Sequence, residues 1–166
     1  HNKVSHIVAL TRIEEDHFVW MDQFTIRNLE LVQSTGVNGV SLLNVLDQTV
    51  SPMGARMLRR WLVLPLKAQK AIQDRLNIVD YFTHHGDIVN ELVLEIKKIG
   101  DLERLISKVA TARICPREVV QLKRALNAIE PIVESCSASK NKSLLKLASQ
   151  LNPCDAIREK IGEQLK

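Results

Sequence analysis

Arg56, Arg59 and Arg60 are the residues whose type and spacing most suggest chemistry. Guanidinium groups present planar arrays of donors that suit phosphate oxygens. No aromatic stacking platform is interleaved with them, as single-strand binding requires. Pairing with acids such as Asp47, or contact between domains, is therefore the expected role. His84-His85-Gly86-Asp87 offers the donor types of a metal-dependent phosphohydrolase built on a His-Asp pair. Glycine splits that group, however, it falls at a helix end, and no further ligands accompany it. Histidines near a helix C-terminus interact favourably with its dipole, which is the simpler expectation. Asp101 and Glu103 face different sides of a helix and cannot work as a carboxylate pair. Neither a Gly-x-x-x-x-Gly-Lys-Ser/Thr phosphate loop nor a Gly-x-Ser-x-Gly elbow occurs. The residues predict no active site, no bound cofactor and no metal.

The element that must position the arginines is a short amphipathic helix. Ser51 supplies an N-cap oxygen and Pro52 fits the first helical position. Met53, Met57, Trp61 and Leu64 recur at helical spacing, so they predict a buried stripe with the arginines on its flank, and Pro65 ends the helix. Ahead of it, Asp47 and Thr49 are short polar side chains of the kind that bond nearby backbone amides. Gly54 lets another backbone approach the first turn closely, or simply avoids a clash.

The whole chain has room for one ordinary domain at 166 residues. Its hydrophobic share is 45% with only 4% aromatics, so aliphatic side chains must fill the interior. Six glycines and five prolines favour helices over turn-rich β architecture. A net charge of +4 and a pI near 9.1 permit attraction to nucleic acid without requiring it. Cys115, Cys136 and Cys154 lack paired short spacings and suggest neither a disulfide framework nor a zinc site. No apolar run is long enough to span a bilayer and no signal peptide opens the chain, so a cytoplasmic protein is expected. A start at His1 and an end in mid-pattern at Lys166 suggest a piece of something larger.

Taken in order, residues 1–22 read as a β-hairpin turning near Glu15-Asp16, with Phe18-Val19-Trp20-Met21 as its second arm. Asp22 caps a helix from Gln23 to about Gln33, where Ser34-Thr35-Gly36 is loop chemistry. Ser41 caps a short turn through Leu42, Leu43 and Leu46. Ile72, Leu76, Val79 and Phe82 form one helical stripe; Ile88, Leu92, Ile96 and Ile99 form the next, closed by Gly100. Asp101 restarts a helix faced by Leu102, Leu105, Ile106 and Val109. Pro116 opens the best-patterned helix, whose seam runs through Val119, Leu122, Leu126, Ile129 and Val133 until Pro131 forces a kink or stop near Glu130. Residues 135–143 look like a linker. Leu144, Leu147, Ala148 and Leu151 make a short helix, and Asn152-Pro153 reads as a last helix start, followed by Ile157, Ile161 and Leu165.

Three ordered blocks also resemble a family. Leu46-Asp47-x-Thr49-x-x-Pro52-Met53-Gly54-x-Arg56-x-Leu58-Arg59-Arg60-Trp61-Leu62-x-x-Pro65-Leu66 is similar to the core-domain motif of the bacterial mismatch-repair family MutS. Upstream, Asp22-x-x-Thr25-x-Arg27-Asn28-Leu29-Glu30 matches a second segment. Downstream, Gly100-Asp101-Leu102-Glu103-Arg104-Leu105-Ile106 and Pro116-Arg117-Glu118 resemble the core helices that follow.

That resemblance implies a mainly α, multi-helical core and lever domain with a small amino-terminal β-hairpin. Residues 1–22 would follow the connector domain, 23–134 would form the core, and 135–166 would be a linker and the start of the lever helices leading to the clamp. Asp47, Thr49, Pro52, Gly54, Arg56, Arg59, Trp61, Asp101 and Arg104 would be structural motif residues, with Arg56, Arg59 and Arg60 available for weak DNA or interdomain contact. The family encloses mismatched DNA in a homodimeric clamp and recruits MutL. Its ATP and Mg²⁺ bind a domain whose phosphate loop this chain lacks, and its mismatch-reading Phe-x-Glu motif is likewise not found here. The implied role is mechanical, linking the ATPase end to the DNA-recognition end without catalysis. Two rivals are a stand-alone basic helical nucleic-acid-binding module using Arg56, Arg59, Arg60, Arg113 and Arg117, and a metal-dependent hydrolase at His84, His85 and Asp87.

Overall fold

Short polar residues stand ahead of most apolar runs in this chain, and the backbone follows those marks closely. The computed structural model describes residues 17–164, which contain ten α-helices and no strand. Contacts divide them into two units, one ending at Leu76 and the other beginning at Asn77.

In the first unit, α1 spans Gln23–Asn28 and is capped by Asp22, whose Oδ1 accepts the Thr25 N–H at 2.6 Å. The helix stops well short of the Gln33 expected from sequence. Glu30 adopts a left-handed backbone with φ 48°, and its carboxylate accepts the Thr35 N–H at 2.8 Å and the Thr35 hydroxyl at 2.5 Å. That local alternative to the helical ladder folds residues 29–36 into a turn. The Glu30 carbonyl in turn accepts the Leu42 N–H at 3.0 Å, joining the turn to α2, Leu42–Leu46. Ser41 caps α2 in a reciprocal capping box with Asn44, as its position predicts, and is itself fully buried. Helix α3, Pro52–Val63, begins and ends where Ser51-Pro52 and Pro65 place it.

The predicted hairpin is corrected here. Its first arm and turn lie outside the described residues. Its second arm is not a strand: Phe18 forms one isolated antiparallel bridge to Leu66, with the Val19 N–H donating to the Pro65 carbonyl at 2.8 Å. Residues 17–19 pair with the chain just after α3, a long-range partner that local alternation does not reveal.

Helix α4, Gln69–His84, crosses the division between the units. Its expected stripe is largely exposed, with Leu76 at 52% and Val79 at 57%. In the second unit, α5 (Gly86–Ile99) packs on α7 (Pro116–Asn127) and α8 (Ile129–Ser137). Helix α6 (Leu102–Ala110) and α10 (Asp155–Gln164) pack on α7, and α9 (Lys142–Ala148) packs on α8. Leu92, Ile99, Leu105, Leu126, Ile129, Ile132 and Leu144 are buried among these helices, giving the aliphatic core that the low aromatic content requires. Gly100 ends α5 with φ 65°, a conformation in which side chains are strained. Asp101 then caps α6 by accepting the Arg104 N–H at 3.2 Å.

Pro131 breaks the predicted seam near Glu130, with the interruption falling at Ala128. Proline has no N–H for the Asn127 carbonyl four residues earlier, and its ring crowds that carbonyl. It therefore sits in the first turn of a new helix, where its missing donor costs little. Two further expectations shift. Helix α8 continues to Ser137 and α9 starts at Lys142, so most of the supposed linker is helical, with Cys136 and Ser139 buried. Asn152 caps a turn and not a helix: its Oδ1 accepts the Cys154 N–H at 2.8 Å, Cys154 takes φ 56°, and α10 begins at Asp155.

Candidate functional site around the arginine helix

The loop before α3 is built from its own side chains. Thr49 donates to Asp47 Oδ1 through its N–H at 3.0 Å and its hydroxyl at 2.6 Å. These bonds favour the carboxylate and hold the Asp47 pKa below its ordinary value. Ser51 Oγ accepts the Gly54 N–H at 3.1 Å. A Cβ at Gly54 would lie 3.2 Å from that Oγ and 3.4 Å from Thr49 Cβ. The glycine thus makes room for the Asp47–Thr49 turn against the first turn of α3. Asp47, Thr49, Pro52 and Gly54 meet here as one capping unit, with no group among them positioned to attack a substrate.

Arg56, Arg59 and Arg60 all project from α3 into solvent. Among the described residues, Arg59 and Arg60 form no ion pair. The apolar stripe is corrected: α3 has no buried residue, Met57 is 54% exposed and Trp61 40%. What covers the indole is a residue the sequence reading missed. Arg75 of α4 stacks on Trp61, its Cζ 3.7 Å from the ring centroid, an interaction driven by the ring quadrupole. Burial there pulls the Arg75 pKa below its usual value. Two residues separated by a loop give no periodic signal, so spacing rules could not find this pair.

Beside α3 lies an open groove of about 840 Å³, lined by Phe24, Arg27, Val32, Gln33, Arg59 and Val63 among others. Phe24 is 72% exposed. Among the described residues the lining contains no carboxylate, histidine, cysteine or lysine. Guanidinium groups stay protonated at any physiological pH, so Arg27 and Arg59 can hold an anion here, while Phe24, Val32 and Val63 offer apolar contact.

The remaining candidates lie in or at the edge of the second unit. His84 Nδ1 is 2.8 Å from the Asp80 carbonyl and His85 Nδ1 is 2.6 Å from the Tyr81 carbonyl. A carbonyl only accepts, so both Nδ1 atoms carry the proton. The His85 ring also stacks on Tyr81, centroids 4.0 Å apart. The histidines thus finish the C-terminal end of α4, which is the role the helix-end argument assigns them. Among the described residues no group of three or more His, Cys, Asp or Glu is arranged to hold a metal ion. Asp101 caps α6, and Arg104 lends it only a backbone N–H. Arg113 and Arg117 belong to the second unit and do not line the α3 groove.

The comparisons with known proteins bear on the whole of this architecture. A family profile described as MutS domain III matches residues 24–166. The DNA mismatch repair protein MutS of Bacteroides fragilis (strain YCH46) is 54% identical over 165 residues, which is 99% of this chain and 19% of that protein. Those of Phocaeicola vulgatus and Christiangramia forsetii are 51% and 50% identical, again over 19% of their lengths. The chain thus spans about a fifth of the length of the curated relatives it matches. A match running from α1 to α10, at about half identity, makes the chain a member of the MutS family, corresponding to its domain III.

Proposed function

We propose that this chain is the helical core of a DNA mismatch-repair protein and that its work is mechanical. The observation that carries the reading is the match of residues 24–166 to domain III. Within that span Asp47, Thr49, Pro52, Gly54 and Asp101 serve caps and turns, a fold-building part that fits a mechanical role. Residues 23–134 would form the core and 135–166 would lead toward the lever helices. In the parent protein, other domains bind ATP and Mg²⁺, a homodimer encloses mismatched duplex DNA, and MutL is recruited. The core carries rearrangement between those ends as a set of packed helices with discrete arrangements. A DNA-repair role places the parent in the bacterial cytoplasm. Among the described residues no helix is long and apolar enough to cross a membrane.

The test is fluorescence anisotropy of a labelled mismatched duplex and its perfect match, titrated with the chain at low and moderate salt. Equal and weak binding to both, fading with salt, is the expected outcome. A clear preference for the mismatch would put recognition in this chain and overturn the reading.

A second reading, the stand-alone nucleic-acid-binding module, draws on Arg59 and Arg60, which form no ion pair among the described residues, and on the groove shared by Arg27, Arg59 and Phe24. It requires tight duplex binding whose logarithm falls steeply with the logarithm of salt, because each neutralised phosphate releases counterions. Arg59→Gln together with Arg60→Gln would then flatten that slope.

A further inference from the structure

The break between α7 and α8 is crossed by a side chain that belongs to neither. Arg158, on α10, reaches the junction with Nη1 2.9 Å from Glu130 Oε2 and 3.4 Å from Asn127 Oδ1. Its Nη2 pairs with Asp155 in the first turn of its own helix. Asn127 is the last residue of α7, Glu130 lies in the first turn of α8, and Ala128 between them, itself with right-handed helical dihedrals (φ −72°, ψ −13°), closes one helix and opens the next. The Arg158 side chain is only 16% exposed, and α10 packs along α7. Ala128 at the joint and Ala125 in the turn before it are almost fully buried.

Pro131 leaves the Asn127 carbonyl without the N–H four residues on, so the angle between α7 and α8 is held less firmly from within and a contact from another helix can bias it. Arg158 alone, among the described residues, donates to side chains on both sides of that junction. A guanidinium suits the task because its planar fork presents several donors in fixed geometry. We propose that Arg158 is a strap across a proline hinge: it fixes the α7–α8 bend and ties it to the position of α10, so displacement of α10 changes the bend. The strap concerns this chain alone and stands whether or not the mechanical reading above survives the DNA experiment.

Amide hydrogen exchange tests it, read by mass spectrometry on the whole chain. Arg158→Gln should speed exchange across residues 126–133 by roughly threefold to tenfold, the range of an ion pair of intermediate exposure. Pro131→Ala returns an N–H to the Asn127 carbonyl and makes the helix continuous, so in that background Arg158→Gln should leave the junction nearly unchanged. Arg158→Lys keeps one contact and should fall between. It carries the test if circular dichroism shows that the glutamine variant does not fold. Faster exchange confined to α10, no change at the junction, or an equal effect with and without Pro131 would each overturn the proposal, since an ordinary ion pair does not depend on the break it spans.

Discussion

The two units of this chain are stabilised in different ways. From Asn77 onward, helices pack around a core that includes Leu92, Ile99, Leu126, Ile129, Ile132 and Leu144. In the described part of the first unit, Leu31 is the one buried apolar residue, and Ser41 the one buried polar residue. That unit holds the most distinctive sequence motif and yet rests on capping bonds: Asp22 to Thr25, Glu30 to Thr35, Ser41 to Asn44, Asp47 to Thr49 and Ser51 to Gly54. The contrast teaches that a recognisable motif need not mark a hydrophobic centre. Here it marks a chain of turns that shapes an exposed, arginine-bearing surface.

The largest effect that would break this contrast is a cavity. Leu126→Ala, in the buried part of the seam, should cost about 2–5 kcal/mol in chemical denaturation. Met57→Ala on the exposed α3 face should cost under about 0.5 kcal/mol. Equal costs would mean that α3 has a core after all. Next in size comes a cap. Ser51→Ala removes the acceptor for the Gly54 N–H and should cost about 1 kcal/mol, seen as loss of amide protection confined to the first turn of α3.

Acid sharpens the comparison further. Hydrogen bonds hold the pKa values of Asp22, Glu30 and Asp47 below their ordinary values. A carboxylate with a depressed folded-state pKa adds stability above its unfolded value and loses it as pH falls through the folded one. In the second unit Glu118, bonded to Lys108 and to the Cys115 N–H, behaves the same way, but a packed core surrounds its helix. Residues 22–51 should therefore lose amide protection before residues 116–148 as pH drops below the usual carboxylate range. Simultaneous loss would contradict the division. The smallest effect concerns Gly162, where a Cβ would meet only the flexible end of Lys123. Gly162→Ala should be neutral or raise stability by up to about 1 kcal/mol through helix propensity, read as a shift in the denaturation midpoint.

Much of the helix layout was legible because capping is local. Asp22, Ser41, Ser51, Asp101 and Gly100 each act within a few residues, so their spacing alone located the starts of α1, α2, α3 and α6 and the end of α5. The mainly helical class was legible for the same reason and the family through three ordered blocks of residues, while the expected amino-terminal hairpin finds no support among the described residues. Where a local rule had a local competitor, the reading slipped. Glu30 cut α1 short through Thr35, and Asn152 spent its side chain on a turn so that α10 began late.

By itself, then, the sequence determined where most helices start and that their interior is aliphatic. The tertiary structure alone decided which apolar stripes are covered, because periodicity gives a helix a face without saying whether anything packs against it. The stripe of α5 is buried by α7 and α8, while Met57 and Trp61 of α3 stay exposed. It also decided the contacts between residues far apart in the chain. Arg75 on Trp61, Phe18 beside Leu66 and Arg158 across the Pro131 break arise from how helices and segments are brought together, and no spacing rule encodes that.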